Sequence, residues 1–368
     1  MCINHVQEVY KYLHSIPEKG FEEVKTSDYL AKELNRFGYK VTNGLGKTGV
    51  IGVLDSGKEG VFLGLRADMD ALEYVIDGKV EYRHTCGHDA HSSIVLAAAK
   101  RIAESGIKSG KVMIIFQPAE ETLFGALKMV ETGLLDEIEE LVGLHIRPMQ
   151  EAKVGQATPA LTHSASTVIR AIINGKTAHG ARPHLGTNVL DAMNVIMTAV
   201  NAIRIDPNVS HSIKLTKLQA GGNASNIIPD EAEICFDIRC SKNNVMSEIL
   251  TKVKMALEFG AKAVGATSQI ILEEGVPAAE YDDDLVSLVD EAIVDVLGEG
   301  SSLGTLYTPG GEDFHYLTQK LKCKSAYVGL GSGATPGLHH QDMTFDLSCL
   351  DKGVDVLCKI VDKRLGLK

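Results

Sequence analysis

Apolar positions along this chain recur in two alternating rhythms. Val24, Leu30, Ala31, Leu34 and Phe37 share one face of a 3.6-residue period, and Gly38 follows where a left-handed cap would end the helix. Short continuous apolar runs at Gly49–Leu54, Val61–Arg66, Lys111–Gln117 and Leu141–Ile146 predict strands buried on both faces. Between them, the alanine-rich Asp89–Glu104, closed by Gly106, and Glu121–Glu131 predict helices. Strands and helices alternating at this spacing imply parallel βαβ units, a mainly parallel sheet with helices on both faces.

The middle of the chain has a different texture. Strands are predicted at Thr167–Asn174, His211–Gln219, Glu231–Arg239 and Gln269–Leu272, with helices only at Asn188–Ile203 and Asn244–Val264. Beyond Asp282 the alternation resumes: helix Asp284–Leu297, a strand near Leu303–Tyr307, a helix near Asp313–Gln319, strand Ser325–Gly329 and helix Leu347–Arg364. The simplest organisation is one α/β domain in two parts, 1–161 and 277–368, interrupted by an inserted α+β domain at 162–276.

Composition narrows the functions open to such a fold. A chain of 368 residues is longer than one average domain, and 44% hydrophobic with 23% charged residues is an ordinary globular balance. The net charge of −11 and the lack of a basic run argue against nucleic-acid binding, which needs cations to displace counterions. No apolar run approaches the roughly 20 residues of a membrane helix. The opening Met1-Cys2-Ile3-Asn4-His5 lacks the basic-then-apolar pattern of a signal peptide. Seven cysteines, an odd number without small-domain spacing, predict thiols in a reducing cytoplasm.

In an open parallel sheet, ligands gather beyond the carboxyl ends of the strands. Asp68 and Asp70 follow the second predicted strand, Pro118-Ala119-Glu120-Glu121 the third, and His145 lies toward the end of the fourth. Cys86-Gly87-His88 precede the Asp89 helix, with His91 one turn on. Taken singly, each has a bland reading. A lone strand histidine is usually a packed core residue, paired glutamates at a helix start are favourable N-terminal charge, and a cysteine before a helix is usually just buried. Their convergence on neighbouring ends outweighs this. Thiolate, imidazole and carboxylate together suit zinc or a similar divalent ion. The side chains of Glu120 and Glu121 diverge, so one can coordinate while the other moves protons, and metal-assisted hydrolysis needs both.

Two other features are set aside. Gly44-Leu45-Gly46-Lys47-Thr48-Gly49 matches G-x-G-x-x-G, but an apolar strand follows it where a dinucleotide fold needs a helix, so it is expected to be a hairpin turn. Cys235 and Cys240 fit no zinc spacing and are expected to be structural.

The run Leu65-Arg66-Ala67-Asp68-Met69-Asp70-Ala71-Leu72, then His84-Thr85-Cys86-Gly87-His88-Asp89-Ala90-His91, Gln117-Pro118-Ala119-Glu120-Glu121 and Gly143-Leu144-His145 resembles the aminoacylase/carboxypeptidase family of two-metal amidohydrolases. The likeness is greatest to its bacterial N-acyl-amino-acid amidohydrolases, hippurate hydrolases and plant auxin-conjugate hydrolases. Gly175–Gly180 with Pro183-His184, Asn226–Asp230, Asp237-Ile238-Arg239, Gly310–Phe314 and Gly337-Leu338-His339 extend it along nearly the whole chain.

The resemblance implies two divalent ions per subunit, zinc or manganese with cobalt and nickel also open. The implied ligands are Cys86, His88, Glu121, His145 and His339, with Cys86 bridging. It implies Glu120 as general base and then acid, and Asp70 as the carboxylate that orients a ligand imidazole. It also implies that His179 reaches a partner subunit's active site and helps polarise the scissile carbonyl. Asn226 and Arg239 are implied contacts to the oxyanion or the substrate carboxylate. The 162–276 domain becomes a lid and homodimer interface, and the small-molecule substrate an N-acyl amino acid. A dipeptidase or metallocarboxypeptidase of the same family is the alternative. Glu73 stands where the family has proline, and His340-Gln341-Asp342 where a proline often follows the last ligand. Of the adjacent His339 and His340, Leu338 selects the first. The segment Tyr74–Tyr82 is short and matches no family phrase, so substrate preference is what it would alter.

Overall fold

The computed structural model describes residues 4–308 and 310–368, so Met1 to Ile3 of the signal-peptide reading lie outside the described residues. The chain divides into two compact units. The first comprises Met1–Thr162, Glu280–Thr308 and Glu312–Lys368, and the second His163–Ala279 with Pro309–Gly311.

Elements are numbered along the chain. In the first unit the strands are β1 (Lys40–Leu45), β2 (Gly49–Asp55), β3 (Phe62–Asp68), β4 (Leu72–Ile76), β5 (Lys79–Arg83), β6 (Lys111–Gln117), β7 (Glu140–Pro148), β8 (Ala157–Thr158), β9 (Ala160–His163), β16 (Thr305–Thr308) and β17 (Lys324–Ala334). Its helices are α1 (His5–His14), α2 (Val24–Arg36), α3 (His88–Ser105), α4 (Gly125–Val130), α7 (Asp283–Leu297), α8 (Phe314–Leu321) and α9 (Ser348–Leu365). A nine-stranded sheet runs β1-β2-β6-β3-β7-β17-β9-β16, with β8 beside β17. Its centre is parallel, β6 with β3, β3 with β7 and β7 with β17, while β1 and β2 form an antiparallel margin. Every residue of β3 and β7 is buried, which explains their unbroken apolar runs. One face packs α1, α2, α3, α7 and α9 against Leu63, Leu65, Val142 and Leu144, and the other packs Met129 of α4 and Leu317 of α8 against Ile115 and Leu141.

The chain leaves β3 for β6 on one side, then crosses to β7 on the other. That reversal is a switch point, where an open parallel sheet leaves a crevice at its carboxyl ends. The glycine-rich turn joins β1 to β2, with Gly44 and Gly46 at positive φ.

In the second unit, β10 (Ala165–Asn174), β12 (His211–Ala220), β14 (Glu231–Cys240) and β15 (Thr267–Val276) form an antiparallel sheet in the order β12-β14-β10-β15. Alternate residues of β10, Ile169, Ala171 and Ile173 among them, share a core with Ile196 of α5 (Val189–Asn201) and Leu257 of α6 (Asn243–Lys262). The short strands β11 (Ala178–His179) and β13 (Ile227–Ile228) pair separately.

Periodicity mispredicts one place and leaves others unassigned. The helix expected over Glu121–Glu131 is instead a 3₁₀ turn, Glu120–Thr122, then α4, because Leu123 adopts φ 62 and breaks the run. Segment 74–82 is most of a β4–β5 hairpin turning at Asp77 and Gly78, both at positive φ. α1, capped by the Asn4 side chain on the Gln7 N–H, gave no signal strong enough to predict it.

Candidate metal centre

The candidate residues of the first unit meet at the switch point. Cys86 and His88 flank Gly87, the N-cap of α3, which takes φ 89. A Cβ on Gly87 would stand 2.4 Å from Ile146 Cδ1, so only glycine lets the Cys86 loop lie against β7. Gly87→Ala is expected to destabilise the metal-free protein by at least about 1–2 kcal/mol through left-handed strain, with the clash added. Urea denaturation measures this, and unchanged stability would contradict the packing described.

Glu120 and Glu121 sit on the 3₁₀ turn between two left-handed non-glycine residues, Ala119 at φ 52 and Leu123 at φ 62. Such conformations persist only where neighbours over-determine them. Here the buried Glu23 carboxylate accepts the Ala119 N–H at 2.8 Å and the Thr48 hydroxyl at 2.6 Å. Asp70 accepts the Glu121 N–H at 3.1 Å and meets His88 Nδ1 at 2.9 Å. Its carboxylate thereby fixes the His88 tautomer and leaves Nε2 as the lone-pair nitrogen. His145 Nδ1 is 2.6 Å from the Ile146 carbonyl, which fixes its ring in the same way.

The free atoms converge. His88 Nε2 and Glu121 Oε1 are buried without hydrogen-bond partners and stand 3.8 Å apart. Cys86 Sγ lies 3.4 Å from His145 Nε2 and 3.2 Å from His339 Nε2, and His339 Nε2 lies 3.4 Å from Glu121 Oε1. Two nitrogen or oxygen ligands on one tetrahedral zinc are about 3.4 Å apart, and a sulfur–nitrogen pair about 3.6 Å. Ligand atoms of Cys86, His88 and His145 form one group within 4.8 Å, and those of Cys86, Glu121 and His339 form another. Cys86 belongs to both. The donor set therefore fits two divalent ions sharing one thiolate.

Two other acidic or imidazole groups are accounted for internally. His91 uses both nitrogens, Nδ1 on Asp68 Oδ1 at 2.6 Å and Nε2 accepting the Ile146 N–H at 2.9 Å. Beside Glu120 lies a buried ionic cluster whose partners come from separate segments of the chain. Arg66 is completely buried and binds Asp68 at 2.7 Å, Glu312 at 3.1 Å, Asp313 at 3.2 Å and Gln117 at 3.0 Å. Tyr327 donates to Glu312 at 2.6 Å. The only hint was a charge inside the apolar run of β3.

Burial governs the electrostatics. It pushes the Glu120 carboxyl well above its usual range, with Glu312, Asp313 and Glu121 adding to the effect. Burial likewise lifts Glu121 to about 7 against the opposing pull of His88. It pushes the Cys86 thiol up, and holds His145 well below its ordinary value. A cation at this point would reverse the bias on Cys86, Glu120 and Glu121, leaving Glu120 able to accept a proton.

The second unit carries the remaining candidates. β11 and β13 bring His179 and Asn226 together: His179 pairs with Ile227, and Gly180 N–H donates to the Asn226 carbonyl at 2.7 Å. Both residues are exposed. Arg239 stands on β14 with Nε on Asp237 Oδ1 at 2.9 Å. Cys235 and Cys240 are buried free thiols in the same strand.

A thiol, three imidazoles and paired glutamates over the carboxyl ends of a mainly parallel sheet make the arrangement of a metal-dependent hydrolase. Residues 64–363 match the profile of peptidase family M20/M25/M40, and the chain belongs to that family, as its motifs implied. It is 29% identical over 372 residues to hippurate hydrolase of Campylobacter jejuni, covering 98% of this chain and 96% of that one. It is 32% identical over 345 residues to the Arabidopsis thaliana IAA-amino acid hydrolase ILR1-like 4, covering 89% and 77%. Its fold superposes with TM-score 0.79 on the Bacillus subtilis YXEP protein, a dinuclear metal-binding peptidase of the M20 family, at 24% identity over 99% of this chain and 98% of that one.

Proposed function

We propose that this protein hydrolyses the amide bond joining an acyl group to an amino acid, at a pair of divalent ions. The observation that carries this reading is the Cys86 thiol standing in two ligand groups, with the buried carboxyl of Glu120 grouped beside His88 and Glu121 but not with Cys86. Supporting it, relatives are named hippurate hydrolase and IAA-amino acid hydrolase, and the YXEP protein is described as a dinuclear metal-binding peptidase.

Cys86, His88, Glu121, His145 and His339 would hold the ions, zinc or manganese first, with cobalt and nickel open because availability selects among them. Bound there, divalent ions supply an acidified water and polarise the scissile carbonyl. Glu120 takes the proton of the attacking water on its carboxylate and returns it to the departing nitrogen. Asp70 keeps the His88 ring in the orientation that presents Nε2. The second unit acts as lid and homodimer interface: its exposed His179 enters the partner's active site and stabilises the oxyanion, with Asn226 and Arg239 contacting the oxyanion or the substrate carboxylate. A reducing cytoplasm suits the six described cysteines, all free thiols. Among the described residues no helix is long and apolar enough to cross a membrane.

A panel of N-acetyl amino acids, N-benzoyl amino acids and dipeptides, assayed after loading with metal, tests the reading. Release of amino acid from the N-acyl members, abolished by chelation, is expected. Cleavage confined to dipeptides would favour the dipeptidase or metallocarboxypeptidase alternative, and no cleavage would contradict both.

A further inference from the structure

We infer that Tyr74 is a positioning residue of the metal centre, its hydroxyl tying the loop of His339 to the loop of Cys86. The inference rests on the reading of His339 and Cys86 as ligands given above.

Among those ligands His339 is held least by the core. His88 and His145 are buried on α3 and β7, whereas the His339 side chain is 55% exposed and residues 339–342 lie on the surface. Its backbone also adopts φ 64, a left-handed conformation that a histidine keeps only when fixed from outside. Two hydrogen bonds do so. The His339 N–H donates to the Thr85 carbonyl at 2.8 Å, and its own carbonyl accepts the Tyr74 hydroxyl at 2.9 Å. Tyr74 Oη is also 2.6 Å from Thr85 Oγ1. Because the one phenolic proton is committed to His339, the Thr85 hydroxyl must donate to Tyr74. The resulting chain runs from the residue before Cys86, through Tyr74, to His339.

The hairpin is built for this grip. Its register pairs Leu72 with Arg83 and Tyr74 with Glu81, so Tyr74 and Arg83 share a face. Arg83 donates to the Gln341 carbonyl at 3.1 Å and lies 3.9 Å from Asp342, a second hold on the same loop. The opposite face carries the cross-strand pair Val75 and Val80, 71% and 56% exposed, which touches none of this.

Tyr74→Phe removes one oxygen and keeps the ring. Calorimetric titration of the metal-free protein with Zn²⁺ is expected to show one of two ions bound about 10–100-fold more weakly than in the wild type, the other unchanged. With Co²⁺, the thiolate-to-metal absorption of Cys86 should persist at the first equivalent. Thr85→Val should reproduce the loss, and the double variant should be no worse than either single one, since both break one chain. Val75→Ser should bind as the wild type does, and metal-free Tyr74→Phe should melt as the metal-free wild type does. Wild-type binding of both ions by Tyr74→Phe would overturn the inference, as would a metal-free variant already destabilised, which marks a merely structural role. A wild-type protein that binds fewer than two ions would overturn the underlying reading instead, whatever Tyr74→Phe does.

Discussion

Glu120→Gln is expected to leave the protein folded and its metal content unchanged while lowering kcat about 10²–10⁴-fold, the usual contribution of a positioned acid–base group. Glu120 is only 6% exposed and lies 3.8 Å from His88 Nε2, close enough to serve a water held beside that imidazole. Burial and the carboxyls of Glu312, Asp313 and Glu121 all disfavour its charge. A neutral amide of the same shape therefore relieves repulsion, and the fold should not suffer. Elemental analysis, a thermal melt and steady-state kinetics on the same preparation separate these outcomes. Turnover near that of the wild type would remove Glu120 from the mechanism.

Cys86→Ala should be the most damaging change to metal binding. On the proposed reading Cys86 Sγ is common to both ligand groups, so its removal would take a donor from both ions at once. Replacing His145 or His339 would take a donor from one. Loss of both ions, with affinity falling more than the about 10–100-fold seen when only an outer partner of a ligand is removed, is the expected result. Activity should fall to background. Equilibrium dialysis against Zn²⁺ with metal analysis reads this directly. Retention of one full equivalent would show that Cys86 is a terminal ligand of a single ion.

Much of the architecture was readable because it rests on burial. The runs that became β3, β6 and β7 are mostly apolar because both faces of the parallel centre are covered, and α3 advertised itself through Ala90 to Ala99 between two glycines. The site was readable because strands of a parallel sheet end on one side, so residues distant in sequence are bound to meet there. What stayed hidden depends on conformations that periodicity does not encode. Leu123 at φ 62 cut short a helix the pattern predicts, and nothing in a leucine announces a left-handed backbone. The β4–β5 hairpin is half-exposed and lacks a strong apolar alternation, although Asp77-Gly78 at its turn was a usable signal. The partners of Arg66 came from three separate segments, at Asp68, Gln117 and Glu312-Asp313, which only the folded sheet brings together.

The central claim is a pair of ions sharing one thiolate and acting together on an N-acyl amino acid. Titrating the metal-free protein with Mn²⁺ or Zn²⁺ while following release of the amino acid tests it most directly. The structure predicts activity that rises to a break at two equivalents per chain. A break at one equivalent, or full activity before any metal is added, would contradict it.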